Sequence, residues 1–288
     1  MPESQRKMAA RTRSLYTGEG FDAAKAGIAR DHSAGLDACA PGQRKLRALL
    51  ALGLLNRGYD YSTPAGWHMA TLSAYTITAS PRFHRMVLIT DVPHNVVDYL
   101  LPEPNGVGGL PGLRVEELRG YGTYVMRHLP TNAQFVVTNN PSGKPAGARS
   151  ESYVDFFTVD APLTPDEREQ LAGVPPMTEH AQCLLAGVFC RISARDPHRG
   201  WAIGNWFYDP LRRPGWLDND RSLGEDRNLQ GAGDSWELRW DSYPYPDDLA
   251  AAMTDSVIGI PGARTVSAHD NLAITLGSAT LRLRSRRT

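Results

Sequence analysis

Apolar residues recur along this chain with two periods, and the switch from one to the other divides it. Near the start the spacing is helical. Phe21, Ala24 and Ile28 follow Thr17-Gly18 at three- and four-residue steps and predict a short helix over residues 20–30. Leu46, Leu49, Leu50, Gly53 and Leu54 predict a second helix over 43–56, with Asn56 and Gly58 as its stop and residues 32–42 as the intervening loop. From residue 71 the pattern reads as strands. Residues 71–80, rich in Thr, Tyr and Ile, and residues 85–90 predict a hairpin turning at Ser80-Pro81. A short helix follows over 94–101, closed by Pro102 and Pro104, and a glycine-rich loop occupies 105–112.

Further strands are expected at 113–118, 123–129, 133–139 and 153–159, with Pro130-Thr131-Asn132 as a turn and 140–150 as a loop. Thr164-Pro165-Asp166-Glu167 has the form of a capping box and opens a helix to about residue 172. The stripe Ala181, Leu184, Leu185, Val188, Phe189 and Ile192 predicts the longest helix, beginning after Thr178 and packed on the sheet. Strands at 201–208 and 235–241 flank a polar excursion, 209–234. Asp247 and Asp248 then favour a helix over 246–254, and a final hairpin, 272–276 and 279–283, turns at Gly277-Ser278. No repeat and no heptad is visible. Strands arriving as hairpins, with helices grouped between them, predict an α+β fold with a mostly antiparallel mixed sheet packed by a few helices. A small N-terminal helical unit precedes it, giving a basic helical unit at 1–60 and an α+β domain at 61–288.

Composition places the chain among ordinary globular proteins, with 288 residues, 41% hydrophobic and 22% charged. Three cysteines, Cys39, Cys183 and Cys190, are too few for a secreted disulfide framework and suit reduced thiols in a cytoplasm. The first seventeen residues carry charge without an apolar core, so no signal peptide is expected, and nothing in residues 1–7 adds to a fold pattern, leaving Met8 an equally good start. The longest apolar run, 48–55, is far short of the ~20 residues of a membrane helix. A cytoplasmic location follows, with no membrane partner. Arginine outnumbers lysine by 27 to 4, in keeping with a GC-rich genome. The segment Arg13-Ser14-Leu15-Tyr16-Thr17-Gly18-Glu19, followed by an alanine-rich helix, resembles the beginnings of uncharacterised actinobacterial proteins, a resemblance that implies no particular activity.

The formal charge is zero but unevenly laid out. Residues 1–58 hold ten Lys/Arg against five Asp/Glu, and the last eight residues add Arg282, Arg284, Arg286 and Arg287, so the middle is acidic. Arg44, Lys45 and Arg47 lie in the first turns of the 43–56 helix, where cations oppose the helix dipole. Basic ends around an acidic body point to an anionic partner, nucleic acid or an acidic protein surface. In that reading Arg11, Arg13, Arg44, Lys45 and Arg47, joined by Arg284, Arg286 and Arg287, contact phosphate groups, and the protein is a binding or regulatory one. A pI near 7 lacks the footprint of a dedicated nucleic-acid binder, and no helix-turn-helix, zinc finger or RNA-binding strand motif supports base reading. A homo-oligomer is compatible with the sequence.

Against this stands a small-molecule enzyme, hydrolase-like, centred on Asp91, His94 and Asp98. A carboxylate beside an imidazole fixes its tautomer and raises its basicity, although no serine or cysteine nucleophile pairs with them in the sequence. Other motifs fail on spacing. His180, Cys183, Cys190 and His198 lack a paired Cys-x-x-Cys and read as a core helix rather than zinc ligands. Asp218-Asn219-Asp220 puts Leu223 and Leu229 where a calcium loop needs glycine and glutamate. Gly106 to Gly112 leads into a strand, unlike a dinucleotide fingerprint, and Ser142-Gly143-Lys144-Pro145 lacks the hydroxyl of a phosphate loop; both read as turns. The interleaved aromatics and acids of 201–245 offer a ligand surface, but alternation assigns Trp236, Leu238 and Trp240 to the core and leaves Glu237, Arg239 and Asp241 to water. No metal site and no cofactor is implied.

Overall fold

The computed structural model describes residues 4–56, 78–102, 109–120, 122–145, 147–150, 158–203, 227–241, 244–268 and 271–286. Three helices lead the chain: α1 (Gln5–Thr17), α2 (Phe21–Gly27) and α3 (Pro41–Leu54). Next come the hairpin β1 (Thr78–Arg82) and β2 (Arg85–Ile89), the helix α4 (Pro93–Leu100), and the meander β3 (Leu113–Arg119), β4 (Thr123–His128) and β5 (Ala133–Thr138). A two-residue strand, β6 (Arg149–Ser150), precedes α5 (Pro165–Ala172) and α6 (Glu179–Cys190). The chain finishes with β7 (Arg227–Ala232), β8 (Ser235–Asp241), α7 (Pro246–Thr254), β9 (Arg264–Ala268), β10 (Asn271–Leu276) and β11 (Ala279–Arg286).

The strands form two sheets, ordered β1-β2-β5-β4-β3-β6 and β7-β8-β11-β10-β9. Seven of the nine strand pairings are antiparallel, so the class is α+β as the sequence predicts. The two parallel pairings, β2 with β5 and β8 with β11, occupy equivalent places. Each sheet is a hairpin, a helix and a three-stranded meander whose last strand returns beside the second hairpin strand. A long helix precedes each copy, α3 before β1 and α6 before β7, and these two helices pack on one another more extensively than any other helix pair. The molecule is thus a structural duplication that the sequence does not display as a repeat.

The copies also hold one another. Asn56, just past α3, donates to the Leu229 carbonyl (3.0 Å) and accepts from the Leu229 N–H (2.9 Å), pairing like a strand with the outer edge of β7. Ser193, just past α6, accepts from the Ala79 N–H of β1 at 3.3 Å, the matching edge of the first sheet. A single apolar core runs through both, taking Leu46, Leu49 and Leu50 of α3, Leu184 and Val188 of α6, Leu88 and Phe135 of the first sheet, and Leu238 and Leu281 of the second. α3 therefore shares its core with both sheets.

The two sheets differ in cover, and their sequences show why. β2 (Met86, Val87, Leu88, Ile89) and β5 (Phe135, Val136, Val137) are continuously apolar, as strands buried on both faces must be. Met86, Leu88 and Phe135 join the main core, while Val87, Ile89, Val125 and Val136 form a second cluster under Ala23 of α2. β8 and β11 alternate instead: Trp236, Leu238, Trp240, Leu281 and Leu283 are buried, and Glu237, Arg239, Arg282 and Arg284 lie on the other face.

Several expectations need correction. α1 starts at Gln5, so the residues before Met8 do belong to an element. The hairpin turns at Phe83-His84, and β1 runs through Pro81. Pro81 turns its carbonyl outward to Arg13, so its ring nitrogen faces away from β2 and no ladder bond is lost. α3, with 14 residues, exceeds the 12 of α6. β7 lies within the expected polar excursion, and β9 in a stretch for which the pattern predicts no element. The expected strand residues 71–77, 153–157 and 204–208, and the Asp218 loop, lie outside the described residues.

Candidate anion-binding surface

The N-terminal arginines divide between core and surface. Arg13 is fully buried on α1, and Gly18, in the left-handed region at φ 72°, turns the chain so that Glu19 comes back over it. Arg13 donates to Glu19 from Nε (2.5 Å) and Nη2 (2.8 Å), and to the carbonyls of Ala34 (2.7 Å) and Pro81 (2.9 Å). Thr17 Oγ1 (2.8 Å) and Ser80 Oγ (2.5 Å) also donate to the Glu19 carboxylate. The segment from Arg13 to Glu19 is therefore a clasp fixing α1 to β1. Arg47, 1% exposed, donates to the carbonyls of Leu36 (3.1 Å) and Arg82 (2.6 Å). Neither Arg13 nor Arg47 faces a partner, contrary to the phosphate contacts expected of them, because sequence shows the charge and not the distant acceptors that bury it. Arg44 pairs with Glu179 of α6 at 2.7 Å, and Arg11 and Lys45 are exposed.

The C-terminal arginines sit differently. On β11, Arg282 and Arg284 are exposed between buried Leu281 and Leu283. Register places Arg282 beside Glu237 of β8 and Ala273 of β10, Arg284 beside Arg239 of β8, and Thr275 of β10 beside Arg264 of β9. One face of the second sheet thus gathers Arg239, Arg264, Arg282 and Arg284 around Glu237, with Asp241 following on the same strand. Glu237 accepts from Arg239 and lies 3.3 Å from Arg284, while Arg264 and Arg282 make no ion pair with a described residue. α2 covers the equivalent face of the first sheet, backed by α1; no described element covers this one. Alternation along β8 and β11 was the signal that could have added Arg239 and Arg282. Arg286 ends β11, and Arg287 lies outside the described residues.

His94 and Asp98 come together one turn apart on α4, with Nε2 and Oδ2 3.6 Å apart and both side chains largely solvated, at 61% and 46% exposure. That separation exceeds a hydrogen bond. His94 Nδ1 instead meets the Tyr124 hydroxyl of β4 at 3.1 Å, a partner that spacing could not reveal. Partial burial raises the Asp98 pKa, with His94 opposing. Asp91 is exposed and makes no hydrogen bond or ion pair to either.

The remaining motifs have structural places. Cys190 is buried on α6, which pushes its thiol up to about 11, and burial likewise raises Cys39 and Cys183. His180 contacts Ser278 at 3.3 Å, and His198 follows Asp196, which accepts its N–H. No group of three His, Cys, Asp or Glu side chains suited to a metal forms among the described residues. No helix among them is long and apolar enough to cross a membrane. Gly109, Gly112 and Gly143 adopt left-handed φ values in turns. The chain matches no protein-family model, no curated protein and no solved structure.

Proposed function

We propose that this is a binding protein whose anionic partner docks on the outer face of the second sheet. The observation that carries the reading is the gathering of Arg239, Arg264, Arg282 and Arg284 beside Glu237 on a sheet face that no described element covers. Arginines held on a rigid sheet are preorganised for phosphate or carboxylate, because their planar forks lose little freedom on binding. The face holds no aromatic side chain among its described residues, since Trp236 and Trp240 point inward, so it offers no platform for stacking bases. Contacts to a nucleic acid are therefore contacts to phosphate, without base reading. Arg13 and Arg47 take no part. The hydrolase-like alternative at Asp91, His94 and Asp98 keeps one support, the contact between Tyr124 and His94.

Fluorescence anisotropy with a labelled mixed-sequence duplex tests the reading. Binding at low salt is expected to weaken with a log-log slope of roughly −3 to −4, about 0.9 per neutralised phosphate. Arg282→Glu with Arg284→Glu is expected to cost at least tenfold. A duplex that fails to bind at low salt, or binds the double variant equally well, removes nucleic acid; an acidic peptide run in parallel then decides for or against a protein partner.

A further inference from the structure

The first sheet carries a transverse row of basic side chains whose charges are not equally answered. Register aligns Arg82 of β1, Arg85 of β2, Gln134 of β5, Arg127 of β4 and Arg114 of β3 across one face. Arg114 is buried in a two-point bond to Glu167, at 2.7 and 2.6 Å. Arg127 bonds Glu116 at 2.6 Å. At the hairpin end the pattern stops. Arg82 and Arg85 lie directly opposite one another with no carboxylate between them, an arrangement that repels across a strand pair.

Arg82 is 6% exposed, yet its one hydrogen bond runs from Nη2 to the Ser142 carbonyl at 2.8 Å, and its Nε is buried without a partner. Arg85, half-buried, makes no side-chain hydrogen bond or ion pair with any described residue. Two more guanidiniums stand close by. Arg13 reaches the Pro81 carbonyl and Arg47 the Arg82 carbonyl, so four arginines crowd the hairpin around one acid, Glu19. Glu19 already accepts from Arg13 twice, from Thr17 and from Ser80, and has no capacity left for Arg82. Burial, then Arg85 and Arg13, lowers the Arg82 pKa to about 10 against the pull of Glu19. A buried charge in this state is strongly destabilising unless something anionic completes it.

We propose that Arg82 and Arg85 form a site for a small oxyanion, inorganic phosphate or the phosphate group of a small metabolite, seated at the β1–β2 hairpin. The loop that follows β5 flanks the site: a Cβ at Gly143, whose φ is 62°, would stand 2.3 Å from Arg82 Nη2, so the loop backbone lies directly against the guanidinium. Two neighbouring guanidiniums together offer more donors than one carboxylate can accept, which suits the tetrahedral, multiply accepting phosphate. The site lies on the first sheet, apart from the open face of the second, and stands or falls independently of it.

Calorimetric titration of the full chain with sodium phosphate, in chloride buffer of matched ionic strength, tests the proposal, with thermal melting alongside. Saturable binding and a rise in Tm are expected with phosphate and not with extra chloride. Arg85→Gln, at a half-buried position, should fold normally and weaken binding at least tenfold; Arg82→Met should abolish it while raising the Tm of the phosphate-free protein, because a repelled charge is removed. A nucleoside monophosphate in a parallel arm distinguishes the sources: tighter binding than free phosphate assigns the site to a metabolite, weaker binding to the inorganic ion. Absence of saturable phosphate binding, or equal binding by Arg85→Gln, overturns the site.

Discussion

His128 ends β4 fully buried between two oxygens. The Pro111 carbonyl can only accept, so Nε2 carries the proton (3.1 Å), and Nδ1 accepts from the Thr131 hydroxyl (2.8 Å). This neutral tautomer fills both bonds, and burial lowers the pKa to about 4 despite the Pro111 contact. Unfolding releases an imidazole that protonates near 6.5, so the unfolded chain binds more protons and stability falls as pH drops from about 6.5 to 4. The loss expected from this residue is on the order of 3 kcal/mol, read from urea midpoints across that range, and His128→Gln should flatten the profile. Glu167 acts further down the scale. Burial would raise its pKa, but Arg114 and the N–H groups of Thr164 and Gly112 outweigh it and leave the carboxyl below its ordinary value, so its contribution is full above pH 4.5 and is lost as pH falls from there through that depressed value.

At the level of elements, what sequence reveals depends on whether apolar side chains or backbone geometry make the element. Helices α3 and α6 and strands β2 to β5 announce themselves because apolar residues fill their buried faces. α1 does not, because the positions it buries are Ala10, Arg13 and Thr17, and two of those are polar. β7 is hidden for another reason. Leu229 is its one large apolar residue, and Gly231, at φ 152°, looks like a loop glycine. It is in fact required by close approach, since a Cβ there would lie 2.2 Å from the Ser235 carbonyl oxygen. Gly231→Ala is accordingly expected to destabilise by roughly 2–4 kcal/mol, through strain and displaced pairing with β8. Gly233 supplies the control: its φ is 59° but nothing stands within 4 Å, so Ala there should cost only about 1 kcal/mol in thermal denaturation. The candidate sites follow the same division. Alternation marks the exposed arginines of β8 and β11, whereas the burial of Arg13 and Arg47, and the meeting of Arg82 with Arg85, depend on register and on acceptors far away in sequence.

Across the whole molecule, the shared core and the exchanged edge contacts make the two sheets one cooperative body. In a variant that keeps only Trp236 and Trp240 of the six tryptophans, fluorescence reports on the second sheet and far-ultraviolet dichroism on both, so their urea transitions should coincide. Asn56→Ala removes both bonds to the Leu229 peptide in a buried setting and should lower stability by roughly 2–4 kcal/mol, moving the two transitions together. A tryptophan transition that moved alone would show that the sheets unfold separately.

The paired edge contacts also express the pseudo-symmetry of the molecule. A residue lent by one copy to the border strand of the other, and a second lent back, make no sense within a lone unit; they are what a two-fold symmetric dimer exhibits, each subunit completing its mate. The halves nonetheless differ outside: α2 caps the outer surface of the first sheet, whereas no described element caps that of the second, which carries Arg239, Arg264, Arg282 and Arg284.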